Sequence, residues 1–135
     1  MKHISILVPE SAVLAAISDP LYMFSAVNQF LESAGKPALF KVQLVGLSEE
    51  IKLNNGLFSI HTDKLLEEVK NTDLIFIPAL SGDLNVALTI NKAFIPWIID
   101  KYIKGAEVAS LCIGAFIIFV NNPRDKRSVG RQSRI

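Results

Sequence analysis

The chain's one cysteine, Cys112, closes the apolar run at residues 107–112, and Gly114 leads from it into a second apolar run that ends at Val120. The pattern predicts a strand, a tight turn and a helix. A side chain on such a turn stands above the C-terminal edge of a parallel sheet, beside the first free N–H groups of the following helix, and those groups favour an anion. A thiol there is a nucleophile candidate, because helix N-termini lower thiol pKa values. Free cysteines are also among the most buried residue types, so simple packing is the competing reading.

Two further loops carry polar groups suited to the same edge. Glu10 lies just past the β-branched run at residues 3–8, beyond Pro9, where ligands of open α/β sheets bind; an ordinary solvated loop acid fits that position equally well. Ser81, Gly82 and Asp83 follow a second such run at residues 73–78. Gly82 would permit close backbone approach, and Ser81 and Asp83 would offer polar contacts or a helix cap. Gly82 has neither a glycine-rich fingerprint nor the lysine of a nucleotide-binding loop beside it, so no phosphate loop is predicted. His61 has no acid or nucleophile next to it in sequence and is read as structural.

The elements that must position these groups alternate between strand and helix. Residues 3–8 form the first strand. Ser18 or Asp19 then caps a helix with Pro20 at its first position, and Leu21, Phe24, Val27, Phe30 and Leu31 form its packing face. Tyr22, Met23 and Asn28 have no role assigned by the pattern. Residues 39–47 suit a strand nearer the sheet edge, and residues 51–60 a hairpin turning at Asn54, Asn55 and Gly56. Thr62 or Asp63 is expected to cap a short helix through Lys70. Residues 85–102 suit a long helix in which Pro96 is an early-turn residue, a kink or a break. This order predicts a parallel sheet sandwiched by helices.

At 135 residues and 50% hydrophobic content, one folded domain is expected and disorder is not. A single cysteine excludes an intramolecular disulfide and lends no support to a thiolate metal cluster; no metal or cofactor is called for. Pro9 and Glu10 interrupt the N-terminal apolar stretch before a signal-peptide core forms, and no segment reaches membrane-span length. A reducing, cytoplasmic setting follows as the expectation. The formal charge of +1 hides an asymmetry: residues 1–120 carry nine Lys or Arg against twelve Asp or Glu, whereas residues 121–135 carry five against one. All four arginines, Arg124, Arg127, Arg131 and Arg134, lie in that tail. It has no apolar periodicity and is expected to be disordered or non-native; nonspecific pairing with nucleic acid is its alternative use.

The run Ala109, Ser110, Leu111, Cys112, Ile113, Gly114, Ala115, Phe116 carries a resemblance, together with residues 6–10, Asp19 and Pro20, residues 76–78 and Leu80, Ser81, Gly82. Over residues 2 to 120 the chain resembles the DJ-1/PfpI superfamily of class I glutamine-amidotransferase-like domains. Within it, the chain is most similar to the amino-terminal domain of AraC/XylS-type transcriptional regulators. The resemblance implies a flavodoxin-like three-layer α/β sandwich with a mostly parallel sheet, often dimeric. In it Cys112 would stand on the elbow, Gly114 would let the turn close, and Glu10 would occupy roughly the place of an acid brought toward the thiol. Ile113 departs from the histidine or threonine that other members place after the cysteine, and Ala16 stands where isonitrile-hydratase-like members carry an acid. A complete domain of this family continues beyond the elbow and the regulators add a DNA-binding module, so the sheet is expected to be incomplete at its C-terminal end.

The reading that follows is a partial DJ-1/PfpI-like domain over residues 1–120 with a basic tail over 121–135. It would be a noncatalytic sensory or protein-interaction domain, with Cys112 and Glu10 at the site and Ser81, Gly82, Asp83, Ile113 and Gly114 as ligand-binding residues. A small-molecule effector and a second copy of the chain are its expected partners; specific DNA binding and membrane association are not expected. The alternatives are a thiol enzyme, in which Cys112 attacks an electrophilic carbon, the Ile113 and nearby loop N–H groups stabilise the developing charge and Glu10 moves a proton, or a structural remnant with no site.

Overall fold

A computed structural model describes residues 1–110, so the expectations for Cys112, Ile113, Gly114 and the tail lie outside the described residues. The elements run β1 (Lys2–Leu7), α1 (Leu14–Ser33), β2 (Phe40–Gly46), β3 (Glu50–Leu53), β4 (Phe58–His61), β5 (Lys64–Leu65), a 3-10 turn (Leu66–Glu68), β6 (Leu74–Ile77), α2 (Leu84–Ile90), α3 (Phe94–Ile103) and β7 (Glu107–Ser110).

Alternation along β1 sets the layering. Successive strand side chains point to opposite faces, so a strand covered on both sides must be apolar in both registers. Ile4, Ile6 and Val8 pack with Ile17 and Phe24 of α1 and with Ile51 and Leu53 of the hairpin. Leu7 joins Val45, Ile75, Ile77 and Val108 beneath Ala87, Phe94 and Ile98 of α2 and α3. Ser5, on the same strand, is fully buried but satisfied: its Oγ donates to Thr72 Oγ1 at 2.9 Å and accepts from Gln43 Nε2 at 3.3 Å. The five-stranded sheet has the order β5-β2-β1-β6-β7 with every described pairing parallel, which makes the fold a three-layer α/β sandwich.

The hairpin forms as its sequence predicts. β3 and β4 pair antiparallel with Leu53 opposite Phe58. Asn54, Asn55 and Gly56 all take positive φ angles, and the Leu57 N–H donates to the Asn54 carbonyl at 3.1 Å. Asn and Gly tolerate this left-handed backbone, and the tight turn needs it. Across the hairpin the Ser59 hydroxyl donates to Glu50 Oε1. That bond holds the Glu50 carboxyl below the usual carboxylate range, with His61 and Lys52 adding to the effect. Since the folded value is the lower one, this stabilisation is complete above the ordinary glutamate value of about 4.3 and drains away as pH falls through the folded value. An NMR titration should find Glu50 below the ordinary range, and Ser59→Ala should move it back up; an unmoved midpoint would remove the hydroxyl as the main cause.

Several local expectations are corrected. The first helix begins at Leu14, not at Pro20, which lies buried inside it. Its entry is set by long-range backbone bonding, with the Val13 N–H donating to the Ala79 carbonyl at 2.9 Å, and this tertiary tie overrides the local Asp-Pro start signal. The packing stripe of α1 also runs through Ala16, Ile17, Pro20 and Phe24, leaving Val27 39% and Phe30 74% exposed. The stripe continues at Asn28, whose Oδ1 accepts from the Leu39 and Phe40 N–H groups at 3.0 Å each while its Nδ2 donates to the Phe40 carbonyl at 2.7 Å. A polar residue on the inner face thus anchors the chain's entry into β2.

The expected helix from Thr62 to Lys70 is instead the short strand β5 followed by the 3-10 turn. Asp63 does not cap a helix: its backbone N–H donates to the Leu44 carbonyl at 2.8 Å and its Oδ2 accepts from the Leu44 N–H at 2.7 Å. This double tie lays residues 64–65 against β2 as an extra parallel strand. The expected long helix divides into α2 and α3, and Pro96 falls in the first turn of α3, where a missing N–H costs nothing.

Candidate functional site

Parallel strands carry the ends of β1, β6 and β7 to one edge of the sheet, and the loops there are bonded to each other. The Ser81 N–H donates to the Ser11 carbonyl at 2.7 Å, and the Ser81 hydroxyl donates to the same oxygen at 3.0 Å. Ala12 and Leu80 form an antiparallel bridge beside them. Ser11 is held at φ 70°, a left-handed conformation that costs a residue with a Cβ about 1–3 kcal/mol and persists only where its surroundings impose it. Here the bonds from the Ser81 loop impose it.

Asn91 fastens the same loop from below. It is 1% exposed, at the end of α2; its Oδ1 accepts from the Glu10 N–H at 2.9 Å, and its Nδ2 donates to the Glu10 carbonyl at 2.7 Å and to the Ala87 carbonyl at 2.8 Å. Glu10 therefore has both backbone groups clamped while the residue itself stays exposed. Asn91 was legible as a polar residue at apolar helical spacing, and a buried amide requires partners. Which partners it had could not be read from spacing.

The structure brings Glu10 and Ser81 to one edge, on loops joined through Ser11. Gly82 takes φ 78° with open space where a Cβ would stand, so the turn's backbone angle is what selects glycine there. Asp83 is the N-cap of α2, with Oδ1 accepting from the Val86 N–H at 3.1 Å. β7 reaches the same edge at Ser110, paired with Ile77; Cys112, Ile113 and Gly114 follow outside the described residues.

Between this edge and the hairpin tip lies a cavity of about 300 Å3, walled by residues 12–15, by Leu53, Asn54 and Phe58, and by Ser81. The hairpin residues were not foreseen as site residues, because nothing local to residues 50–61 states that Ile51 and Leu53 dock beside α1. A second hollow, of about 470 Å3, lies at the opposite edge and is lined by His3, Thr72, Asp73 and three lysines. Among the described residues no group of three or more His, Cys, Asp or Glu could hold a metal ion, and no helix is long and apolar enough to cross a membrane.

No family model matches the chain, and no curated protein matches it. Solved structures do. A candidate transcriptional regulator from Vibrio parahaemolyticus superposes with a TM-score of 0.72 at 17% identity, covering 96% of this chain and 71% of its own. DJ-1 from Toxoplasma gondii, in an oxidised form, gives a TM-score of 0.63 at 15% identity over 90% of this chain and 61% of its own. An AraC family transcriptional regulator from Pseudomonas putida gives 0.63 at 11% identity over 99% and 74%. The chain thus has the fold shared by DJ-1/PfpI superfamily structures and by regulators of the AraC type.

Proposed function

We propose, on the premise of that shared fold, that this chain is a noncatalytic sensory domain of the kind transcriptional regulators carry, and that it takes a small-molecule effector at the C-terminal edge of its sheet. The observation carrying this reading is the cavity between the hairpin tip and the start of α1. Its volume is at the small end for a ligand site, and its walls come from three separate stretches of chain, as binding sites in α/β folds commonly do. None of the described residues lining it is an acid, a base or a thiol. General acid–base chemistry requires such a group within hydrogen-bond reach of the reacting atoms, and the described walls offer binding contacts instead.

The test is an NMR titration of the full chain with a mixed library of charged and neutral fragments. Binding should move the amide signals of residues 12–15, 53–58 and 81; a library that moves none of them sinks the sensory reading. Iodoacetamide labelling across pH decides against the thiol-enzyme alternative if Cys112 reacts with a midpoint at or above about 8.5, the value of a free thiol. A clearly depressed midpoint, with rapid labelling in the folded chain, would favour the enzyme.

A further inference from the structure

We infer that the effector is an uncharged, mostly apolar molecule carrying one hydrogen-bond donor, held between the hairpin tip and the first turn of α1 with its donor on Ser81. This deepens the sensory reading and rests on it. Of the eight described lining residues six are apolar, and none of the eight is ionisable. At about 30 Å3 apiece, the share of a water in the liquid, the space holds roughly ten non-hydrogen atoms.

Two effects compete over the ligand's charge. The first turn of α1 has no side-chain cap, and a helix N-terminus favours an anion by about 0.3–1 kcal/mol. Against this, stripping water from an ionised group with no counter-charge among the described wall residues costs several kcal/mol. Desolvation wins, so a neutral molecule is preferred. At Ser81 the direction of the polar contact follows from bonds already made, whereas the amide of Asn54, the other polar wall residue, can donate or accept and sets no direction. The Ser81 hydroxyl proton is spent on the Ser11 carbonyl, which leaves its oxygen free only to accept. A ligand hydroxyl or N–H satisfies it, whereas a carboxylate or ketone does not. Val13, Leu57 and Phe58 stand exposed on and beside the mouth, apolar surface that such a ligand would partly cover.

The experiment compares benzyl alcohol, toluene and sodium benzoate at pH 7 by NMR titration of the full chain. Benzyl alcohol should saturate in the millimolar range, as befits about eight heavy atoms, and move residues 12–15, 53, 54, 58 and 81. Toluene should bind several-fold more weakly and benzoate at least tenfold more weakly. Ala15→Phe, on an exposed wall position, should abolish the shifts, and Ser81→Ala should erase the preference for benzyl alcohol over toluene. Benzoate binding as tightly as benzyl alcohol at these residues overturns the inference while leaving a ligand-binding domain standing. Retained binding in Ala15→Phe, or a preference that survives Ser81→Ala, also overturns it. Failure of all three probes together with the fragment library removes the sensory reading itself.

Discussion

Asn91→Leu is expected to destabilise the chain by about 2–4 kcal/mol, because it keeps the side chain's bulk but strands both backbone groups of Glu10 at the edge of the interior, while the Ala87 carbonyl keeps the backbone N–H of residue 91. The amide of Asn91 meets both backbone groups of Glu10, a residue 81 positions away, and the carbonyl of Ala87. A single buried residue with three good bonds contributes more than an average hydrogen bond, since the loss is the desolvation cost of the partners left unpaired. Urea unfolding reads the change directly. The same variant should free the loop at Ser11, whose left-handed backbone depends on neighbours staying in place. Faster amide exchange at residues 10–12 is therefore expected even under conditions where the fold survives. A loss below about 0.5 kcal/mol, the range of ordinary surface substitutions, would show that water replaces the clamp without penalty.

Leu53→Ala should cost about 2–5 kcal/mol, the usual range for truncating a buried leucine. Leu53 is 1% exposed and belongs to the core cluster on the α1 face of the sheet, whereas Leu57, four residues on in the same hairpin, is 70% exposed. Leu57→Ala is expected to stay within about 0.5 kcal/mol. The contrast tests whether the hairpin is docked by its inner face. Equal effects from the two would mean that it is not, and the wall that it gives the cavity would go with it. Since Leu53 also lines that cavity, its truncation should weaken fragment binding as well as stability.

Much of the framework is written locally. The apolar alternation of residues 4–8 requires a strand covered on both faces, and the Asn-Asn-Gly turn requires a hairpin, because backbone sterics and burial act over a few residues at a time. Alternating strand and helix signals then limit the architecture to a parallel sheet between helical layers. The misreadings fall where a distant segment outbids a local preference. Asp19 and Pro20 are a sound helix start in isolation, yet the Val13–Ala79 bond begins α1 a turn and a half earlier. Asp63 is a sound cap, yet its two bonds to Leu44 draw the chain into a fifth strand.

The candidate site divides in the same way. Glu10, Ser81, Gly82 and Asp83 could be assigned to the sheet's C-terminal edge from sequence, because each follows a buried strand and parallel strands end together. What only the tertiary structure decided is the use each group is put to: Asp83 caps α2, the Ser81 proton goes to Ser11, the Glu10 backbone goes to Asn91, and the hairpin supplies a wall. Each of these but the cap joins residues tens of positions apart. The chain's local preferences set which elements form, but a side chain's free donor or acceptor is known only after every closer partner has been counted.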